Sequence, residues 1–300
     1  MLTGILAGLA AGALWGLVFV APRMVSGFPA VDFTAGRFLS YGAVSLFLML
    51  AVRKSAWPNA RQALAALGMS VLGFTGYYLL LVFAIRDAGT EVPSLIIGTI
   101  PVWMMLLGKP AGLRLGALVP GLVLTLLGLG LMTQASHGAG ATAGEAVPHL
   151  DFWRGVVFAV ASMVFWTVFG LVNAAWLKKH PEVSATTWAN WLGVATGLGA
   201  LALWLAAGSD AKVLLARTDW AQAAMLCMAT GFGSTWLATI LWNIASRRLS
   251  ASLCGQLIVS ETLFALAYSF AWDGRWPTQV QALACLLFAA GILASIRAHR

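Results

Sequence analysis

Glu261, Arg37 and Glu91 are charged residues set inside otherwise apolar runs of this chain. A charge at bilayer depth costs about 2.5–3.5 kcal/mol on insertion scales, so it faces a cavity or a partner. Glu261 is the deepest acidic residue, near the middle of the run 250–271. Two kinds of chemistry suit it: contact with a substrate amine, or proton coupling through its carboxylate. The competing structural reading is an ion pair or a hydrogen bond to a neighbouring helix. Arg37 and Glu91 lie near the outer ends of their runs and read as structural, snorkelling to the interface or pairing with each other.

Aromatic and small polar residues supply the rest of a solute site. Trp15 and Trp166 occupy matching places in two apolar runs and are candidates to wall a central cavity. Tyr77, Tyr78, Trp188, Trp191, Trp236 and Trp242 add aromatic surface. Such a wall suits apolar or cationic solutes through area burial and cation–π attraction. The plainer reading is interfacial anchoring, which fits Trp57, Trp153, Trp220 and Trp276 near run ends. Pro93 and Pro101 remove backbone donors inside one run, and such breaks line cavities in membranes. Ser94, Thr99, Asn190, Asn243, Gln256 and Ser260 are polar positions that can bond an amino or carboxylate group, or a neighbouring helix.

Other chemistries find little support. His137, His149, His180 and His299 are dispersed in loops or the tail, and Cys227, Cys254 and Cys285 lack CxxC spacing. No metal and no cofactor are expected. An intramembrane enzyme needs a nucleophile–base or His/Asp cluster, and none is visible, so the protein reads as no enzyme. A membrane scaffold would need a soluble interaction domain, and no stretch resembles one.

The elements that position these residues must live in lipid. The chain is 60% hydrophobic and 9% charged, with a mean hydropathy of +0.87, whereas soluble domains carry about a quarter charged residues. Backbone groups in hydrocarbon need internal partners, which leaves helices or a closed barrel. Barrel strands alternate over about ten residues. The runs here are about twenty residues long without alternation. The prediction is an all-α integral membrane protein with ten transmembrane helices, at 3–22, 33–52, 63–84, 89–108, 115–134, 153–176, 185–206, 219–244, 250–271 and 277–297. The first run lacks a preceding basic region and reads as a retained helix rather than a cleaved signal.

The longest polar interruption, Ala135 to Asp151, divides five spans from five. It sets a first five-helix repeat at 1–134, a connecting loop at 135–152 and a second repeat at 153–300. An odd number of crossings per half inverts the second half. One side carries Arg53, Lys54, Arg61, Lys109, Arg114, Lys178, Lys179, Arg247, Arg248, Arg297 and Arg300, eleven residues. The other carries Arg23, Arg86, Arg154, Lys212, Arg217 and Arg275, six residues. The positive-inside rule makes the first side cytoplasmic, with both termini inside. The net charge of +8 is then a topology signal, and nucleic acid is not an expected partner.

Small residues prepare close helix contacts. Gly4, Gly8, Gly12 and Gly16 recur every four positions, and Gly193 with Gly197 repeat the spacing. The halves also match in register. Ala13-Leu14-Trp15-Gly16 parallels Val164-Phe165-Trp166-Thr167. The interval from Ala84-Ile85-Arg86 to Thr99-Ile100-Pro101-Val102 equals that from Ala245-Ser246-Arg247 to Ser260-Glu261-Thr262-Leu263. Gly128 and Gly291 close the pattern. An inverted repeat of this kind is characteristic of transporters that alternate access to a midplane site.

On these residues the whole chain resembles the drug/metabolite transporter superfamily, of the EamA-like kind. The similarity rests on Ala-Leu-Trp-Gly near the start, Ile-Pro-Val at 100–102 and Ser-Glu-Thr-Leu at 260–263, where the family often has Glu-Pro-Val. Thr262 departs from the family's second-half Pro, and Lys109 stands where the first half often has Glu. Within the family the chain is most similar to bacterial aromatic amino-acid exporters. The resemblance implies a multi-pass carrier of the bacterial inner (plasma) membrane, a monomer whose partners are the lipid bilayer and a small-molecule solute. The expected function is export of small metabolites, principally amino acids with aromatic ones among them. The alternative on the same fold is proton-coupled export of lipophilic cations. The candidate substrate-binding residues are Trp15, Tyr77, Tyr78, Ser94, Pro101, Trp166, Trp188, Asn190, Trp242, Gln256, Ser260 and Glu261.

Overall fold

The computed structural model describes residues 1–25, 27–52, 56–88, 91–138 and 149–299, and these residues are helical with no strand among them. Among the described residues nine helices are long and apolar enough to cross a membrane. In chain order they are α1 (Leu2–Val25), α2 (Ala30–Ala51), α3 (Ala60–Ala88), α5 (Leu115–Gly138), α6 (His149–Lys179), α7 (Ala185–Ala207), α8 (Trp220–Arg248), α9 (Ala251–Asp273) and α10 (Gln279–Ala298), the label α4 being kept for the shorter pair between α3 and α5. Both α5 and α6 reach into the stretch expected as a loop, whose central residues 139–148 lie outside the described set.

The remaining span departs from expectation. The run 89–108 is not one helix but two short ones, Glu91–Gly98 and Ile100–Leu107, together α4. The break falls at Thr99, with Pro101 in the first turn of the second piece. A proline there lacks the N–H that a continuous helix would need and presets the new start. Thr99 Oγ1 donates back to the Ile96 carbonyl at 2.6 Å, covering an acceptor that the break frees.

Two long helices share another irregularity. α3 widens to a π-turn at Val71–Thr75 and α8 at Gly231–Leu237. In each a threonine hydroxyl donates to the carbonyl five residues back, Thr75 to Ser70 at 3.4 Å and Thr235 to Thr230 at 3.1 Å. An extra residue in a helical turn leaves carbonyls poorly served, and the hydroxyl supplies a donor.

Helix ends sort onto two faces. On one, Gln222 reaches Met24, Ser209 binds Asp32, and Arg154 binds Asp87. There Arg23 and Arg275 also bracket Asp273. Nearby, the Arg217 guanidinium holds the Asp219 carboxyl below its ordinary range. On the other face, the Ser252 amide donates to Gly108, Lys178 to Leu249 and Arg247 to His180. The helices therefore alternate in direction.

Several of the main packing pairs map onto one another when each helix is exchanged with the one five places on, although α8 also packs on α6 and α7. α2 lies along α7, α5 along α10, and the second part of α4 along α9. α1 packs on α8 and α9, and α6 packs on α3 and α4. Glycines set the closest crossings. A Cβ added at Gly42 of α2 would come 2.7 Å from the Gly197 Cα of α7. Large side chains such as Phe47, Leu64, Leu205 and Leu286 point outward, where hydrocarbon is their solvent.

Gly197→Leu is expected to destabilise the folded protein by about 1–3 kcal/mol through overpacking, seen as a lower melting midpoint in detergent. Gly68→Ala, where an added Cβ meets no atom, should leave that midpoint undiminished.

Candidate functional site

Two neighbourhoods, joined by aromatic rings, hold the chemistry that the helices converge. In the first, Trp15 of α1 meets Trp242 of α8 with ring centres 5.3 Å apart and Trp166 of α6 at 6.3 Å. Trp166 and Trp242 lie 6.0 Å apart. The glycine ridge of α1 places Trp15 there. A Cβ at Gly12 would strike Ser260 Oγ and come 3.1 Å from the Glu261 amide nitrogen. One at Gly16 would lie 2.8 Å from the Ala265 amide nitrogen. α1 and α9 thus touch backbone to backbone on either side of Trp15, beside Glu261. Trp242 is 1% exposed, and its indole N–H has no acceptor among the described residues. Leaving a buried donor unsatisfied costs about 1–3 kcal/mol.

The second neighbourhood gathers Arg37 of α2, Tyr77 and Tyr78 of α3 and Glu261 of α9, the guanidinium and the carboxyl within electrostatic reach of one another and the phenols beside them. The Arg37 guanidinium carbon stands 4.7 Å from the centre of the Phe38 ring. Its Nε is buried without an acceptor. No ion pair within 4.0 Å joins Arg37 to Glu261. The Tyr78 hydroxyl donates to the Ala30 carbonyl at 3.2 Å. It borders a cavity of about 110 Å³ also lined by Pro22, Phe33 and Thr34.

Rings connect the two. Phe38 lies 6.2 Å from Tyr78 and 6.0 Å from Phe74. Phe74 lies 5.5 Å from Phe169, which is 6.0 Å from Trp166. The path crosses from the first half of the chain to the second.

Several sequence candidates sit apart from this assembly and bond to neighbouring helices. Trp188 is buried and stacked on Trp176 at 3.7 Å, donating to Asn173 at 2.7 Å. Asn173 in turn donates to Asn243 at 3.1 Å. Asn190 accepts from Trp236 at 2.7 Å. Gln256 donates to Thr125 at 3.0 Å, tying α9 to α5. Ser260 donates to the Leu257 carbonyl at 2.7 Å and fills the gap opposite Gly12. Ser94 is exposed, and Pro101 is buried at the break in α4. Pairing of Arg37 with Glu91 lies outside what is described, because the Glu91 side chain is not among the described ones.

Arg37 reads as structural in the sequence, yet its side chain joins the Glu261 neighbourhood. Its position inside an apolar run is the signal. Phe38, Phe74 and Phe169 carry no such signal, since one phenylalanine in a span looks like any other. Among the described residues no group of His, Cys, Asp and Glu could hold a metal.

Comparison with known proteins agrees with this architecture. The EamA-like transporter family profile matches residues 2–134 and 153–297. The chain is 30% identical over 314 positions to the inner membrane protein YtfF of Escherichia coli (strain K12), covering 99% of this chain and 96% of that protein. A crystal structure that is 20% identical superposes with a TM-score of 0.73 over 98% of each chain, a likeness of fold. With apolar membrane-crossing helices throughout and the family match across nearly its whole length, the chain belongs to the EamA-like transporter family of the drug/metabolite transporter superfamily.

Proposed function

We propose that this transporter is an inner-membrane carrier exporting small metabolites, amino acids with aromatic ones among them, by alternating access between two inverted halves. The observation that carries the reading is a membrane-embedded carboxylate, Glu261, with no hydrogen bond or ion pair among the described residues, whose backbone packs on α1, the helix that carries Trp15 of the Trp15–Trp166–Trp242 cluster. An unpaired acid at that depth is a functional group rather than a strut. Rings around it favour solutes with aromatic or cationic parts.

The repeat reading has its own support. The pairs α2–α7, α5–α10 and α4–α9 and the packing of α1 on α8 and α9 and of α6 on α3 and α4 keep their pattern when each helix is exchanged with the one five places on. The π-turns of α3 and α8 carry the same threonine bond. The family profile matches on either side of the central stretch, consistent with units at 1–134 and 153–300 around a connecting loop at 135–152. With α4 counted as a crossing made of two pieces, the spans number ten. The excess of Lys and Arg on the face bearing Lys109, Lys178 and Arg247 makes it cytoplasmic, with both termini there. The relative YtfF is named an inner membrane protein, which supports the same location here. The protein acts as a monomer in this reading.

A second reading has a specific observation behind it. One carboxylate among aromatic rings also suits lipophilic cations exchanged for protons. Proteoliposome flux with amino acids against lipophilic cations, with and without a pH gradient, separates the two. Flux of cations alone would replace the first reading with the second.

Glu261→Gln is expected to lower flux at least about 10-fold, the scale of removing one charged contact, while the folded protein still inserts. Unimpaired flux through that variant would remove Glu261 from the site. Trp15→Ala and Trp166→Ala are expected to change which solutes compete for export. Identical competition profiles for both variants and the parent would take the cluster out of the solute path.

A further inference from the structure

The following rests on the inverted-repeat carrier reading above and concerns how its site is closed. We infer that Lys178 and Arg247 latch one gate, shut in this structure, and that Arg23 and Arg86 are their repeat-related counterparts at a second gate, which stands open.

Two groups of three helices meet at the tryptophan cluster: α1 packs on α8 and α9, and α6 packs on α3 and α4. On the face bearing Lys109, polar contacts cross from one group to the other. Lys178, in the last turn of α6, donates to the Leu249 carbonyl just past α8 at 2.7 Å. Arg247, in the last turn of α8, donates to the carbonyls of His180 and Pro181 just past α6, at 3.2 and 3.5 Å. The Ser252 amide of α9 donates to the Gly108 carbonyl at the end of α4 at 3.1 Å. Deeper in, Asn173 of α6 meets Asn243 of α8. Facing helix C-termini carry like partial charges and carbonyls without helical partners. Each arm brings a cation across to the other helix's end, which turns that repulsion into a clasp.

On the opposite face contacts run inside a group instead. Arg23 of α1 binds Asp273 of α9, Gln222 of α8 reaches Met24 of α1, and Arg154 of α6 binds Asp87 of α3. The contacts of Asp32 with Ser209 and of Tyr78 with Ala30 involve α2, a helix outside both groups. The matching intervals of the two halves pair Arg86 with Arg247, and Arg23 stands in the last turn of α1 as Lys178 does in that of α6. Both counterparts are engaged by carboxylates of their own group, Arg86 by the adjacent Asp87 at 2.8 Å and Arg23 by Asp273.

Burial separates the faces in the same way. Beyond its π-turn α8 buries Ala238, Thr239, Ile240, Trp242, Asn243, Ala245 and Ser246. The equivalent piece of α3, Gly76–Ala88, buries Ala84 and Asp87 alone. Every residue from Phe74 to Phe83 is partly exposed. A helix with one packed face alternates buried and exposed positions, so uniform partial exposure means access from more than one side. The packing of α8 on α6 likewise has no comparable counterpart between α3 and α1. In an inverted repeat, one half then displays the gate shut and the other displays the same elements open.

The test uses full-length protein in lipid nanodiscs, where reagent reaches both faces, with Cys227, Cys254 and Cys285 replaced by alanine. Ser252→Cys reports on the shut gate, and Tyr78→Cys, beside the cavity on the other face, on the open one. A membrane-impermeant maleimide is expected to label Tyr78→Cys readily and Ser252→Cys slowly. Arg247→Gln or Lys178→Gln should speed labelling of Ser252→Cys at least about 10-fold, since each removes charged hydrogen bonds from the shut gate. Arg247→Lys should restore most of the protection. Arg86→Gln should shift both sites the other way, slowing Ser252→Cys and speeding Tyr78→Cys, because it weakens the alternative state. Rapid labelling of Ser252→Cys with all four cations in place would overturn the inference. So would an Arg247→Gln protein in which Ser252→Cys stays protected, or an Arg86→Gln protein in which it becomes reactive. The expected pattern in a protein that moves no solute would support the latch and reject the carrier reading.

Discussion

In hydrocarbon a polar group without a partner has no water to fall back on, and this protein is arranged around that constraint. Most buried polar side chains meet it by reaching across helices. Trp188, Asn173 and Asn243 form a chain of donors and acceptors, and Gln256 closes on Thr125. Tyr41 donates to the Ala189 carbonyl at 2.7 Å. Against this background the unsatisfied groups are informative. Among the described residues the Trp242 indole and the Arg37 Nε are left without partners, as are hydroxyls such as those of Ser45, Thr167, Ser246 and Ser295. The first two belong to neighbourhoods that one path of rings connects.

The second constraint is geometric. Lipid offers no hydrophobic gain for pressing two apolar helices together, so association depends on close packing. Glycines supply it where α1 crosses α9 and where α2 crosses α7. The first crossing sets the relation of Trp15 to Glu261. The second anchors the helix that carries Arg37. Scaffold and site are therefore built from the same contacts, and a bulky residue at Gly12 would disturb both.

Much of the scaffold was legible in the sequence because bilayer thickness fixes helix length and loop charge marks the faces. The alternation of Lys and Arg led to the same grouping of helix ends that the interhelical bonds display. The glycine ridge of α1 could be read from its spacing, and the meeting of Trp15 with Trp166 from their matching positions. The break in α4 was only half legible: Pro93 and Pro101 announced an irregularity, but not that Thr99 would divide two helices. Side-chain partners were not legible. Gln256 looked available for a solute, yet its partner Thr125 lies 131 positions away. A single sequence carries no signal for such a pair. For the related reason the sequence does not place Arg37 near Tyr77 and Glu261, since that proximity is a property of packing, not of position in a run.

The widened turns in α3 and α8 bear on how this chain should be drawn. A π-turn inserts one residue, and one residue is about 100° of rotation in a regular helix. Side chains before Val71 and after Thr75 therefore obey two different angular frames, and so do those flanking Gly231–Leu237. A wheel projection carried straight through either segment would turn Tyr77, Tyr78 and Trp242 by more than a quarter of a circle. It would assign to the acyl chains residues that belong to the interior of the bundle.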